Sequence, residues 1–344
     1  MMPATENEPP SSLSDPRLQQ LEHWLREELR LPYTALAPAS SDASFRRYFR
    51  IQVPEGSHVV MDAPPEREDC RPFVSIAWAL RDIGLNVPQV LEMDLSQGFL
   101  LLSDLGNSQY LSELDPNSVE RLYGDALDAL ERLQLHGPSG DAAGLPDYDR
   151  ALLLGEMELF REWLLQRHLG LDTSAEDAML DHSFALLAEA ALEQPRVCVH
   201  RDYHSRNLMV VEQDNPGILD FQDAVIGPIT YDLVSLLRDC YIAWPRSQVE
   251  AWALDYRRRP AIGELCGEVS DEQWLRWFDL MGAQRHLKAA GIFARLWHRD
   301  GKPGYLADLP RTVRYISQVA ETHPELDELN RYLHARVLPV LDAA

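Results

Sequence analysis

Between Val197 and Phe221 the chain alternates short apolar runs and polar punctuation in an order that few folds accommodate. Val197-Cys198-Val199 reads as a strand. The polar string His200-Arg201-Asp202-Tyr203-His204-Ser205-Arg206-Asn207 follows. Leu208 to Val211 is apolar again, Asp214-Asn215-Pro216-Gly217 signals a turn, and Ile218-Leu219 leads into Asp220-Phe221. Two apolar runs around such a turn predict a β-hairpin. Asn207 then stands just before its first strand and Asp220 just after its second. In an antiparallel hairpin those ends are neighbours, with backbones about 5 Å apart. Two oxygen-bearing side chains are thereby delivered to one point, a donor set that suits Mg²⁺ with positions left for phosphate and water. Asp202, from the loop, can face the same point and accept the proton of an attacking hydroxyl.

The flanking sequence predicts an α+β chain in two lobes. Residues 1–14 read as a flexible leader. Asp15-Pro16 reads as a helix cap with proline at the first helical position. Strands are expected over 45–53, 58–62, 87–92 and 98–102, with a helix near 66–83. After Leu105-Gly106 the pattern turns helical, over 117–135, 150–169, 176–193 and from 228 onward. The shift sets a small sheet-rich lobe at 15–103 against a large helical lobe at 104–344, with a ligand cleft expected between them.

Composition narrows the function. With 32 Lys plus Arg against 55 Asp plus Glu, the formal charge is −23. Such a chain lacks the basic face that nucleic acid binding needs, and anionic lipid gives it no help. Only Lys288 and Lys302 are lysines. The four cysteines are far apart and form no CxxC, which fits a reduced, cytoplasmic chain. No apolar run approaches a membrane span, and the amino-terminal residues lack the apolar region of a secretory signal.

The string 200–207 with Asp220-Phe221 matches the H-R-D-x-x-x-x-N and D-F elements of kinases. The chain resembles the aminoglycoside phosphotransferase-like branch of the protein-kinase-like superfamily, from the strand at 45 to the helices near 330. The resemblance implies a bilobal kinase-like fold, ATP as phosphoryl donor, Asp202 as catalytic base, and Asn207 and Asp220 as holders of Mg²⁺. His200 reads as a buried brace. A His200/His204 zinc pair is disfavoured, because a zincin helix needs glutamate where Arg201 stands. Asp232 reads as an anchor for the catalytic loop. Tyr231 follows Asp220 by only eleven positions, which leaves no peptide-docking platform and points to a small-molecule acceptor.

The sequence also departs from kinases. No lysine occurs on the strand 59–62, where kinases carry one, and no Gly-rich loop precedes it. Ser41 and Ser44 are candidates to approach the phosphates, and Arg46 or Arg47 to neutralise them. Backbone groups near Leu102 and Ser103 are expected to read the adenine edge. The strings around Ser41–Arg50, Met61–Glu66 and Gln284–Lys288 resemble the bacterial anomeric amino-sugar kinases of cell-wall recycling. That likeness implies transfer to the C1 hydroxyl of N-acetylmuramate and N-acetylglucosamine. Glu158, His204, Arg285 and Lys288 are candidate substrate contacts. Arg285 and Lys288 share a helix face, and either meets the lactyl carboxylate or forms a solvated basic face. A monomer is expected. Two other functions stay open: a kinase for another small alcohol or amine, of aminoglycoside or choline type, and an inactive nucleotide-binding regulator.

Overall fold

A computed structural model of the chain describes residues 15–40, 46–139 and 144–343, so the expected leader and both Ser41 and Ser44 lie outside the described residues. Contacts divide the chain into two compact units. One runs through Ser75 and takes in Pro88–Asp104; the other comprises Ile76–Val87 and everything from Leu105 onward.

In the smaller unit Asp15 caps helix α1 (Pro16–His23), accepting from the N–H groups of Arg17 and Leu18 at 3.0 and 3.1 Å. The sheet comprises β1 (Leu36–Ser40), β2 (Arg47–Val53), β3 (Gly56–Asp62), β4 (Val90–Asp94) and β5 (Phe99–Ser103), in spatial order β1-β2-β3-β5-β4. Every neighbouring pair is antiparallel. Leu21, Trp24 and Leu25 pack against Phe49, Ile51, Val60 and Phe99 to form its core. Strand β1 is not among the strands expected from the sequence, the first of which begins at 45. It contains Pro38, which hides it from a strand search. Proline is tolerated there because β1 is an edge, where a missing donor costs least, and the register shifts between Pro38 and Ser40. Helix α2 (Cys70–Asp82) joins β3 to β4 and spans the division between the units.

The larger unit contains α3 (Tyr110–Glu113), α4 (Val119–His136), α5 (Arg150–Leu159) and α6 (Asp177–Leu192), then α7 (Tyr231–Leu237), α8 (Arg246–Arg257), α9 (Pro260–Cys266), α10 (Asp271–Asp300), α11 (Leu309–Thr322), α12 (Asp327–Tyr332) and α13 (Leu338–Ala343). Between α6 and α7 lie two small antiparallel pairs. Strand β6 (Arg196–Val199) pairs with β9 (Val225–Pro228), and β7 (Leu208–Met209) with β8 (Gly217–Ile218). Helix α10 starts on a Ser270 cap that accepts from Gln273 N–H and ends on Gly301 in the left-handed region at φ 65°. A Cβ on Gly291 would lie 2.3 Å from the carbonyl carbon of Leu159. Glycine there lets α10 touch the end of α5 backbone to backbone, which brings Glu156 of α5 within reach of Lys288 of α10.

All four cysteines are unbridged and buried. No helix among the described residues is long and apolar enough to cross a membrane.

Candidate active site

The segment 200–207 links β6 to β7. Leu219 N–H donates to the Asn207 carbonyl at 2.9 Å, which carries the β7–β8 pairing outward to the residues beside Asp220. The expected juxtaposition of Asn207 and Asp220 is therefore built into the backbone ladder. The Asn207 Nδ2 donates to the Asp202 carbonyl at 3.0 Å, so Oδ1 is the atom of that amide fit to ligate a cation. Asp220 has φ 62° and accepts at Oδ1 from Gln222 Nε2 at 2.7 Å. An aspartate tolerates that left-handed backbone better than most residues. Among the described residues no cluster of three or more His, Cys, Asp or Glu side chains forms a metal cage. An amide oxygen and a carboxylate fit Mg²⁺, which commonly takes few protein ligands and completes its shell with phosphate and water.

Two carboxylates hold the loop. Asp232, at the start of α7, accepts from His200 N–H at 2.6 Å and Arg201 N–H at 3.0 Å. Burial pushes its pKa up to about 7, against the opposing pull of those two N–H groups. The anchor expected at Asp232 is thus seen as two hydrogen bonds. Asp239, just past the end of α7, accepts from both N–H and Oγ of Ser205, and from Tyr241 N–H at 2.9 Å. Nothing in the sequence reading singled out Asp239. His200 is buried, and its Nδ1 accepts from Asp202 N–H at 3.2 Å. Burial lowers its pKa to about 4, which keeps the ring neutral as that acceptor role requires. Arg201 carries a φ of 77°, a backbone state that costs on the order of 1–3 kcal/mol and needs several restraints. Its N–H bond to Asp232 and its guanidinium bond to Glu156 supply them.

Burial pushes the Asp202 carboxyl up, but Lys288, His204 and Arg285 outweigh it and hold the pKa below the ordinary carboxylate value. Burial also lowers the pKa of His204, so at neutral pH Lys288 and Arg285 are the cations beside the base. Three of the four candidate substrate contacts are thereby electrostatic neighbours of Asp202. Neither cation lies on a solvated face, because Arg285 and Lys288 are 5 % and 7 % exposed. Lys288 Nζ lies 3.1 Å from Glu156 Oε1 and donates to the Tyr231 hydroxyl at 3.0 Å. Its charge is already matched, which counts against a second carboxylate there. Arg285 Nη1 makes only a 3.7 Å contact with Cys240 Sγ, and its Nε is buried without an acceptor.

The fourth candidate, Glu158, is placed elsewhere. It is exposed and pairs with Arg161 at 3.4 Å, beside Asp177 and Asp181 of α6. Glu156, two residues earlier, faces Arg201 and Lys288 instead. Glu156 is buried and bonded to Arg201, Lys288 and the Tyr148 hydroxyl. Burial raises its pKa, yet Lys288 and Arg201 bring it below the ordinary value. The signal was available. Glu156 falls between Leu153 and Phe160 on the apolar stripe of α5, whereas Glu158 lies on the opposite side of the helix.

In the smaller unit the two arginines expected to meet phosphate are paired with carboxylates. Arg46 pairs with Glu68 at 3.1 Å. Arg47 joins Asp15 and the fully buried Asp62, and Arg17 adds a 2.7 Å contact to Asp62. The strand expected to lack a lysine thus ends in a buried aspartate that gathers arginines. Leu102 pairs with Val59 of β3 and Val90 of β4, so its backbone is flanked on both sides. Ser103 N–H donates to the Gln89 carbonyl at 2.9 Å, and its Oγ accepts from Gln89 N–H at 2.8 Å.

Comparison with known proteins agrees with this architecture. Residues 35–278 match the model of the phosphotransferase enzyme family (APH). The chain is 50% identical over 331 residues to a Pseudomonas aeruginosa protein named N-acetylmuramate/N-acetylglucosamine kinase, covering 93% of this chain and 96% of the relative. A Pseudomonas putida protein of the same name is 47% identical over 333 residues, with 93% and 96% covered. Among solved structures, choline kinase LicA from Streptococcus pneumoniae superposes with a TM-score of 0.62 at 11% identity, covering 88% of this chain and 99% of that one. That likeness identifies the fold as protein-kinase-like. Arg285 and Lys288 lie beyond the matched family segment, while the loop 200–207, Asp220 and both bracing aspartates lie within it. With its catalytic-loop string, its hairpin and its helical architecture in agreement, the chain belongs to the phosphotransferase enzyme family.

Proposed function

We propose that the protein is an ATP-dependent kinase that phosphorylates the anomeric C1 hydroxyl of N-acetylmuramate and N-acetylglucosamine. The observation that carries this reading is the Asp202 carboxylate, kept ionised by Lys288 and Arg285 on a loop braced by Asp232 and Asp239. The names of relatives at 50% and 47% identity support the choice of sugars.

In this reading Asp202 orients the C1 hydroxyl and takes its proton as the sugar oxygen bonds to the γ-phosphorus. The bond from that phosphorus to the β–γ bridging oxygen breaks, and ADP leaves with the electron pair. An anomeric hydroxyl is more acidic than an ordinary sugar alcohol, so a carboxylate suffices as base. Asn207 and Asp220 would hold Mg²⁺, whose charge supports that of the transferring phosphoryl group. Ser41, Ser44, Arg46 and Arg47 are the proposed phosphate-side residues, and the backbone at Leu102 and Ser103 the adenine-side ones. Arg285 and His204 face the acceptor, while Glu156 replaces Glu158 as the carboxylate that orders this side. The protein acts as a monomer in the cytoplasm, in recycling of peptidoglycan sugars.

Phosphorus NMR of the product, with ADP release measured across amino sugars, aminoglycosides and choline, tests the reading. The expected product is a sugar 1-phosphate. A 6-phosphate, or turnover confined to aminoglycosides or choline, would overturn it.

A further inference from the structure

Arg206 belongs to the same loop as Asp202 and sits against an aromatic wall whose rings neither the catalytic chemistry nor the loop bracing uses. Its guanidinium carbon lies 3.7 Å from the Tyr241 ring centroid and 5.4 Å from that of Tyr305. Phe293 of α10 stacks on Tyr305, with centroids 5.5 Å apart, and meets Tyr241 at 6.0 Å. The ring of His204, two residues after Asp202, packs edge-on against the same Tyr241 at 5.3 Å. One tyrosine therefore ties Arg206 to the immediate surroundings of the base.

The charge balance there is unusual for so acidic a chain. Arg206 reaches Asp308 only at 3.9 Å, while Arg311 holds the same carboxylate at 3.1 Å. Arg311 also donates to the Cys240 carbonyl at 2.7 Å. Two guanidiniums share the Asp308 carboxylate, so neither has one to itself. The side chain of Arg206 is 35% exposed, so its fork is open to a ligand. A flat aromatic wall offers stacking to the C–H face of a pyranose, and an arginine fork binds a carboxylate in two-pronged fashion.

We propose that Arg206, backed by Tyr241 and Tyr305 and sharing Asp308 with Arg311, binds the lactyl carboxylate of N-acetylmuramate. The inference rests on the amino-sugar reading above and adds the residue that distinguishes the two sugars. It moves the carboxylate contact from Arg285 and Lys288 to the loop itself. The lactyl ether on C3 lies two ring atoms from C1, so its anion must sit close to the base. Arg206 is four residues along the loop from Asp202.

The test compares KM for N-acetylmuramate, its methyl ester and N-acetylglucosamine, in wild type, Arg206→Gln and Arg206→Lys. In wild type the acid should bind about tenfold better than its ester, the scale of one charge-assisted, two-pronged contact. Arg206→Gln should abolish that preference and raise the N-acetylmuramate to N-acetylglucosamine KM ratio by a similar factor. Arg206→Lys should restore part of it. Equal KM for acid and ester in wild type overturns the assignment without needing any variant to fold. Loss of both sugars to the same extent in Arg206→Gln, with the acid-to-ester ratio intact, also overturns it and leaves the kinase reading standing. A wild-type protein that phosphorylates neither sugar removes the amino-sugar reading and this assignment with it.

Discussion

Positive charge is spent differently in the two units. In the smaller one, Arg17, Arg46, Arg47 and Arg50 each reach a carboxylate, on Asp62, Glu68, Asp62 with Asp15, and Asp104. In the larger one, Arg285 has a buried Nε without an acceptor, and Arg206 has only a long contact to a shared carboxylate. Counting cations in the sequence treats these arginines alike. What differs is the local balance, and the balance tells where an anionic ligand finds unclaimed donors. Those four arginines are matched before any phosphate arrives, whereas Arg285, beside Asp202, keeps a buried donor without an acceptor.

The comparison is broken most directly at Asp202 itself. Asp202→Asn keeps the shape and loses the proton acceptor, so kcat should fall by about 10²–10⁴ while ATP still binds. Near-normal turnover in the folded variant would remove Asp202 as base. Next in size is the metal side. If those four arginines are already matched, Mg²⁺ must carry more of the phosphate charge. Asp220→Ala should then abolish Mg²⁺-dependent ATP binding and Asn207→Ala weaken it, as read by titrating Mg²⁺ against nucleotide affinity.

A third experiment reads Arg285. Asp202 is active when ionised, and its lowered pKa keeps it so until the pH falls through that value. Arg285→Met removes a cation that holds the pKa down, so the acid limb of kcat/KM should begin at higher pH. An unmoved limb would show that Arg285 does not act on the base. Arg47→Ala probes the other side. Because Arg47 is matched by Asp15 and Asp62, thermal stability should fall, with ATP KM rising only a few-fold and sugar KM less. Smallest is Glu158→Gln: an exposed ion pair is worth at most about 1 kcal/mol, so both sugar KM values should stay within twofold. A large loss there would restore Glu158 to the acceptor side.

The parts that were legible are those written in short spacings. The hairpin, the placement of Asn207 and Asp220 at its open end, and the Asp15-Pro16 cap all depend on residues a few positions apart. Strand β1 was not legible, because Pro38 reads as a breaker until an edge is available to accept it. Charge partners were the least legible. Arg50 meets Asp104 across 54 positions and Arg201 meets Glu156 across 45, and no local pattern links such pairs. The partners that set Glu156 apart from Glu158 are equally remote in sequence, although the apolar stripe of α5 already distinguishes the two. Ser41 and Ser44 lie outside the described residues, so their expected role stays a proposal.

The two aspartates that brace the loop give α7 the character of a ruler. Asp232 and Asp239 are seven residues apart, one near each end of the helix, and they grip the loop at Arg201 and at Ser205. A helix turns by about 100° per residue. Adding or removing a single residue between them would swing one carboxylate off the loop while leaving the other in place. Substitutions along α7 that preserve packing can accumulate, but its length cannot drift. The catalytic loop inherits its shape from a count of residues, and a shortened or lengthened α7 is the change from which this site has least means of recovering.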